Sequence, residues 1–341
     1  MEYEIIGKLQ GADLEGVVCR HPFIDRESPV VCAEYVTAED GTGCVHIAPG
    51  HGQDDHVVGQ EYDLPTLMPV DEKGVFTEEA GQFAGLKIED ANKAIVQHME
   101  EVGTLFKMEF VKHSYPHCWR CKSPVIFRAT PQWFISVDND GKQGKIREKA
   151  LAAIKETKWY PAWGEKRISA MVENRPDWCI SRQRLWGVPI PIFYCKKCGE
   201  AQMDKKFFDA VIDVVKKEGT NSWFKKEAAE ILPAGLACSC GGAEFTKETD
   251  IMDVWLESGA SQRSVLKKRT NLSWPADLYL EGSDQHRGWF QSSLLLSVGE
   301  NGTAPYKTVL THGFTIDDKG RKMSKSLGNV VDANKTVNQY G

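Results

Sequence analysis

The sequence predicts an α/β fold carrying a β-rich segment at the front and a small metal-binding insertion. Three observations point there. From residue 246 onward, apolar strands alternate with a helical stretch: DLYLEGSD leads into HRGWFQSSLLLSV, and YKTVLTHGF leads into a loop bounded by Gly320 and Gly328. Up to about residue 110, short apolar runs are punctuated by Gly and Pro, as in CVHIAPGHGQDD (44–55), which reads as strands and site-building turns with few helices. Between them, Cys195-Lys-Lys-Cys198-Gly and Cys238-Ser-Cys240-Gly-Gly bracket a helix.

Taken in order, the first clear helix has Asp90 as its N-cap, Ala91, Ile95, Met99 and Val102 on or near one face, and Gly103 as its stop. TPQWFISV (130–137) reads as a buried strand. Residues 144–157 make an amphipathic helix with Ile146, Ala150 and Ile154 along one face, and Pro161 ends that region. WCISRQRLWGVPIPIFYC (178–195) reads as a core strand, a polar turn and a second extended segment. The strongest helical signal starts at Asp204, buries Phe207, Phe208, Val211, Ile212 and Val215, and stops at Gly219.

The 341 residues suffice for two or three domains, and the net charge of −6 argues against a uniformly basic nucleic-acid binder. It leaves room for local patches such as Lys216-Lys217, Lys225-Lys226 and Lys267-Lys268-Arg269, which also read as wet helix faces. No apolar run is long enough to span a bilayer, and MEYEIIGKLQ lacks a signal-peptide pattern. A cytoplasmic protein without membrane contact is the expectation. With no export signal, the tight spacing among the ten cysteines favours metal thiolates over disulfides.

Lys322 and Lys325 sit i, i+3 in KMSKS, among small and flexible residues. Two ammonium groups on a mobile loop can close over a polyanion, and lysine suits developing phosphate charge; the bland reading is a solvated basic loop. Glu281, Asp284 and Gln285 crowd the carboxyl end of a predicted strand, where doubly wound sheets place ligands, before a helix N-terminus that offers N–H groups. Helix capping by Asp284 is the rival there. Four thiolates at 195, 198, 238 and 240 suit tetrahedral zinc, against buried free thiols. Cys118-Trp-Arg-Cys121 is a further knuckle without a visible partner pair. His46, His51, Asp54, Asp55 and His56 suggest a metal site on composition, although His and Asp also gather in turns.

WCISRQRLWG, DVWLESG, YLEGSDQHRGWF, THGF and KMSKSLGN occur in one order at compact spacing. Together they resemble the class I aminoacyl-tRNA synthetases, and GSDQHRGWF with CISRQR resembles the isoleucyl branch. The resemblance implies the second half of a Rossmann-type catalytic domain with the KMSKS loop (246–341), a catalytic core segment (131–194), a zinc-binding insertion (195–245) and part of an editing domain (1–130). It implies ATP-dependent activation of isoleucine to isoleucyl-adenylate, transfer to tRNA(Ile), Mg2+ as the triphosphate's counter-ion, a structural Zn2+, and a monomer. Lys322, Lys325 and His312 would act on ATP. Glu281, Gly282, Asp284 and Gln285 would line the adenylate site. Trp255 and Trp289 would flank the isoleucine side chain, their alternative being ordinary core packing. Asp55 would hold the α-ammonium of misattached valine and His46 would exclude isoleucine. The partner pair of Cys118 and Cys121 would lie upstream.

The HIGH signature, the Thr-rich strand of the editing pocket and an anticodon-binding bundle are not found in these residues. The chain is therefore expected to be an internal fragment. Three alternatives stand beside the isoleucine reading: a catalytically silent zinc-stabilised module, a valyl-type synthetase, and a free-standing hydrolase of misacylated tRNA.

Overall fold

Glycine placement and parallel strand pairing divide the labour in this chain. A computed structural model describes residues 4–39, 41–118 and 121–341. It falls into two units, Met1–Pro131 and Gln132–Gly341.

In the first unit, β1 (Val18–Arg20) pairs antiparallel with β2 (Glu27–Pro29), Val18 opposite Pro29. Two helices follow, α1 (Gln53–Glu61) and α2 (Ile88–Glu101). The expected β-rich character is not what forms: among the described residues, pairing beyond this hairpin is limited to isolated bridges such as Val70 with Phe76 and Val75 with Lys87. Glycines at positive φ (Gly41, Gly43, Gly74, Gly81, Gly85) turn the chain before ladders can lengthen. Val58, Val70, Phe83 and Ala91 are its buried apolar side chains. Helix α2 begins at Lys87 as N-cap, not at Asp90; Glu89 and Asp90 occupy its first turn, where carboxylates meet the positive end of the helix dipole. It ends as expected at Gly103, whose φ is +71°.

The second unit opens with β3 (Phe134–Ile135), α3 (Ile146–Glu156), β4 (Lys158–Tyr160) and α4 (Trp163–Glu173). Neither β4 nor α4 is expected from the local sequence pattern. Short strands β5 (Trp178–Cys179) and β6 (Ser181–Arg182) pair with β3 and with β9 (Ile251–Met252), respectively. Strand β7 (Phe193–Cys195) opens an insertion that holds α5 (Lys205–Glu218), α6 (Ser222–Lys225) and α7 (Ala228–Ile231), closed by β8 (Phe245–Lys247) pairing back onto β7. Helix α5 runs from the expected Asp204 N-cap to Gly219 at φ +78°, burying Phe207 and Val211. Ile212, expected inside, is 46% exposed, because the buried stripe is narrower than the apolar one.

The remainder is α8 (Val254–Gly259), β10 (Tyr279–Gly282), α9 (Trp289–Asn301), β11 (Thr308–His312) and α10 (Ala333–Tyr340). Strands β10, β11 and β4 form one parallel sheet in that order. Helix α9 is buried on nearly all sides, from Phe290 and Leu294 to Ser293 and Ser297, as a central helix of a layered fold must be. Its apolar residues join Ala150, Ile154, Ile168, Trp159 and Val309 in the main core. A second core inside the insertion gathers Phe193, Phe207, Val211, Trp223, Ile231 and Phe245. Among the described residues, no helix is long and apolar enough to cross a membrane.

Candidate functional site

Parallel register builds the first candidate site. Glu281 lies opposite Thr311 and Gly282 opposite His312, so two strands deliver their last residues to the same sheet edge. Ligands collect at such carboxyl ends because the strand-to-helix turns leave polar backbone exposed there. Glu281 Oε2 stands 3.8 Å from His312 Nε2, both side chains about half exposed. Gly282 is buried, and a Cβ on it would meet Asp284 Oδ1 at 2.9 Å and the Phe314 ring at 3.2 Å. A bare glycine therefore lets the backbone reach the edge of the site.

The turn after β10 departs from expectation. Ser283–His286 forms a short 3-10 helix, and α9 starts only at Trp289. Gln285 Oε1 accepts the Trp289 N–H at 2.9 Å, so Gln285, not Asp284, caps α9. That capping uses one of the N–H groups foreseen for an anion. Asp284 is exposed and its side chain is left to face solvent or a ligand. Gly288 makes the turn possible: a Cβ there would stand 2.5 Å from Gln285 Oε1 and 2.9 Å from the Trp255 ring. His286 locks the turn from below. It is fully buried, its Nδ1 lies 3.0 Å from the Ser283 carbonyl, and its ring packs between Trp159 and Trp163, burial holding its pKa below the ordinary histidine value.

The two tryptophans have unequal surroundings. Trp289 lies face to face on Tyr279 (ring centroids 4.0 Å apart, 10° between planes) and donates Nε1–H to the Ser258 carbonyl at 3.0 Å and to Ser261 Oγ at 3.1 Å. One of its faces is thus used within the fold. Trp255 is 42% exposed, with its ring edge against Gly288. Beneath it, buried Asp253 accepts from Trp178 Nε1 at 2.9 Å and sits 3.1 Å from Arg182, which fixes the start of α8.

The KMSKS segment is a loop, and Lys322 and Lys325 are both exposed. Lys322 Nζ rests 3.5 Å from the centroid of the Phe314 ring, the ring that a Cβ on Gly282 would meet. One aromatic ring therefore separates this ammonium from the sheet edge that carries Glu281 and His312.

The second candidate site is the thiol cluster. The Sγ atoms of Cys195, Cys198, Cys238 and Cys240 all lie within 4.8 Å of one another, with Cys195 to Cys240 at 3.6 Å and Cys198 to Cys238 at 3.7 Å. Four sulfurs about 2.3 Å from a tetrahedral zinc stand about 3.8 Å apart, close to the two shortest separations here, so the set suits the ion. Gly242 permits the approach: a Cβ there would stand 2.6 Å from Cys195 Sγ. The backbone N–H of Cys240 leads the groups that hold the Cys238 thiol down to about 6. At Cys198 the Glu200 N–H favours the thiolate, but its bonds to Cys240, Cys238 and Cys195, with burial, push it up to about 12. Without a cation the four thiols cannot all ionise together. Cys118 and Cys121 join no group of three or more ligands among the described residues; Trp119 and Arg120 between them lie outside those residues.

In the first unit, Asp55 sits near the start of α1 and uses both oxygens. Tyr35 donates to Oδ1 at 2.8 Å and the Ala48 N–H to Oδ2 at 3.0 Å. Burial, with that bond to Asp55, raises Tyr35 to about 12. Three glycines allow the tight fold around it: a Cβ at Gly50 would stand 2.1 Å from the Leu67 carbonyl oxygen, one at Gly52 2.4 Å from Asp55 Oδ2, and one at Gly59 2.8 Å from Pro49. His46 is exposed. His51 and His56 turn to the Phe127 and Pro49 carbonyls, and these residues form no metal-ligand group with Asp54 and Asp55 among the described residues. No local signal gives Tyr35, Phe314 or His286 a role, whereas Gly242 is one of the two glycines behind the CxC pair, where tight turns around the sulfurs are expected.

Residues 23–341 match the family of tRNA synthetases class I (I, L, M and V). The chain is 60% identical over 342 residues to an isoleucine–tRNA ligase of Carboxydothermus hydrogenoformans, covering 99% of this chain and 36% of that protein. It is 57% identical over 341 residues to one of Moorella thermoacetica, and 56% identical over 340 residues to one of Thermoanaerobacter sp., each time with 100% of this chain and 36% of the relative covered. It thus spans about a third of the length of these curated relatives. A solved leucyl enzyme of Agrobacterium radiobacter K84 is similar at 23% identity, with 52% of this chain and 26% of that one covered, but its TM-score of 0.34 gives it no weight. On the family match and these identities, the chain belongs to the class I tRNA synthetases (I, L, M and V).

Proposed function

We propose that this chain supplies the KMSKS side of an isoleucine–tRNA ligase, which activates isoleucine with MgATP and passes the isoleucyl group to tRNA(Ile). The observation that carries the reading is the register of β10 on β11, which puts Gly282 opposite His312, with Lys322 one ring away on Phe314. Identity to the isoleucine–tRNA ligases over the whole chain supports the choice of amino acid.

On this reading the isoleucine carboxylate attacks the α-phosphorus in line and pyrophosphate leaves. Lys322 and Lys325 take up the charge that develops on the phosphates. His312 and bare Gly282 receive the nucleotide at the sheet edge, and Asp284, with the free part of the Gln285 amide, faces the aminoacyl end. Glu281 orients the group that approaches His312. Trp289 and the half-exposed ring of Trp255 would offer an apolar slot for a branched side chain. Such a slot separates aliphatic side chains that differ by one methylene by only about 1–3 kcal/mol, isoleucine against valine being the best-known instance of the rule rather than a value derived from this chain. Hydrolytic editing of misattached valine is therefore part of the proposal, with Asp55 receiving the α-ammonium and His46 lining the approach. Asp55 has carboxylate lone pairs beyond the two that Tyr35 and Ala48 occupy.

The thiol cluster holds a structural Zn2+ on Cys195, Cys198, Cys238 and Cys240 in this reading. Bound there, zinc closes the second core and takes no part in the transfer chemistry.

ATP–pyrophosphate exchange across amino acids, on the polypeptide at the length of its relatives, tests the assignment. Isoleucine is expected to support the fastest exchange; preference for valine or leucine would overturn it. Failure of this chain by itself to bind MgATP would favour the silent, zinc-stabilised module.

A further inference from the structure

Outside the groups already given roles, Asp317 and Asn329 share a dense set of side-chain hydrogen bonds. The chain from Thr315 to Met323 folds back as a tight hairpin. Ile316 bridges to Lys322, the Asp317 N–H donates to the Arg321 carbonyl at 2.9 Å, and the Met323 N–H donates to the Thr315 carbonyl at 3.2 Å. Asp317 sits at its neck. Its Oδ1 accepts the N–H groups of Lys319 and Arg321 at 3.0 and 2.8 Å, and its Oδ2 accepts Arg321 Nε at 3.0 Å and Asn329 Nδ2 at 2.9 Å. Asn329 comes from the far side of the loop. Its Oδ1 accepts the Ser324 N–H at 2.8 Å and its Nδ2 also lies 3.4 Å from the Lys322 carbonyl oxygen.

These bonds divide the lysine loop into two parts. The neck, which includes Lys322, is tied by side chains from both ends. Ser324 belongs to the tied part through its N–H on Asn329, whereas the bonds given for the tip, Lys325 to Gly328, are local: the Leu327 N–H to the Ser324 carbonyl at 3.2 Å and to Ser324 Oγ at 3.3 Å, the Gly328 N–H to the Lys325 carbonyl at 3.3 Å, and Ser326 Oγ 3.2 Å from Ser324 Oγ. Lys322 is carried by the tied part and Lys325 by the other. The tie matters for the Lys322 ammonium because its backbone sits between the Ile316 bridge and Asn329 while its head lies on Phe314.

We infer that Asn329 is a positioning residue: with Asp317 it clasps the neck of the loop and so sets Lys322 on Phe314, leaving Lys325 on a tip that moves separately. The two lysines then differ in kind. Lys322 is preset and costs little ordering when a polyanion arrives, whereas Lys325 must be recruited by tip movement. That the polyanion is ATP rests on the function proposed above; the clasp itself does not.

The test uses the chain with 13C-labelled lysine and NMR. An ammonium-bearing side chain over a ring face has its terminal CH2 protons shifted upfield by the ring current. The Lys322 signal, assigned by its loss in Lys322→Arg, is expected upfield in the parent chain and near the other lysines in Phe314→Leu. Asn329→Asp faces one carboxylate with another and should release the clasp. The Lys322 signal should then lose its upfield shift, and Ser324 amide exchange should accelerate about tenfold, as expected for one lost hydrogen bond of about 1.4 kcal/mol. The exchanged pair, Asp317→Asn with Asn329→Asp, restores one donor facing one acceptor but gives up the Arg321 Nε bond to Asp317, so both readouts should return part of the way to the parent values. An unshifted Lys322 signal in the parent chain, an Asn329→Asp signal that stays upfield, or no recovery in the exchanged pair would each overturn the inference. MgATP added to the parent chain tests the ATP reading separately: lysine signals that do not respond count against that reading and leave the clasp result standing.

Discussion

The two units position polar groups by different means. In Gln132–Gly341 the sheet-edge site is set by register: once β10 pairs parallel with β11, Gly282 and His312 arrive together however their side chains are arranged. In Met1–Pro131 the group around Asp55 is set by close approach, with Gly50, Gly52 and Gly59 each standing where a Cβ would collide. The first method draws on a large buried core and tolerates change at the rim. The second depends on a few contacts in a unit whose buried apolar side chains, among the described residues, are few. The thiol cluster combines the two, since β7 and β8 pair in register while Gly242 gives way to the sulfurs.

The largest effect expected is at that cluster. Structural zinc sites contribute apparent binding energies of about 10–16 kcal/mol, and losing one thiolate forfeits much of that. With the proposed zinc in place, Cys238→Ser should lower metal content well below one per chain and melt the core of Phe193, Phe207 and Phe245 while the main core stays folded. Metal analysis with a thermal melt followed by hydrogen exchange checks both parts. A folded insertion without metal would remove the cluster from the register-plus-glycine class.

Gly50→Ala probes the first unit. Its Cβ would stand 2.1 Å from the Leu67 carbonyl oxygen, a backbone atom that cannot swing aside. A cost of about 1–3 kcal/mol is expected, as for overpacked sites, read as faster hydrogen exchange around α1 with the second unit unaffected. Gly282→Ala is the matched change in the other unit. The atoms it meets belong to the exposed Asp284 side chain and the rim of Phe314, which can yield. Stability should change by less than about 1 kcal/mol, but binding of a non-hydrolysable aminoacyl-adenylate analogue by the polypeptide at the length of its relatives should weaken about tenfold, or about 1.4 kcal/mol. Equal destabilisation by the two alanines would erase the distinction between the units.

Local signals in the sequence carried far, and long-range ones did not. Helix α5 was legible from its Asp204 cap, its apolar period and Gly219, α3 from its apolar face, and β10 and β11 from short apolar runs that lead into a helix and a loop. The ligand spacing of Cys195, Cys198, Cys238 and Cys240 announced a cluster because two tight knuckles admit few other geometries. Strand β4 was not legible, since its place beside β11 depends on pairing residues 158–160 with residues about 150 positions away. Helix α4 was hidden behind Pro161, read as an end when a helix begins two residues later. That Gln285 also accepts the Trp289 N–H was not legible, because such a bond depends on where the turn places its amide. In the first unit, Gly and Pro punctuation suggested strands, but strands need partners that punctuation does not specify.

The smallest effect is a titration. Tyr35 carries a pKa raised from 10.0 to about 12, chiefly by burial and then by its bond to Asp55. A phenol whose folded value lies above its unfolded value favours the neutral, folded form. That contribution is whole below pH 10 and is lost as pH rises through about 12. Asp55→Asn removes the carboxylate but not the burial, so Tyr35 should titrate lower than in the parent chain yet still above 10.0. Tyrosinate absorbance, with Tyr35→Phe to identify the signal, measures it. If the titration of Tyr35 does not move, Asp55 is not held by that hydroxyl in solution, and the close-approach account of the first unit loses its central pair. If it falls all the way to the ordinary value, burial is the lesser cause, and the tyrosine is held by the carboxylate alone.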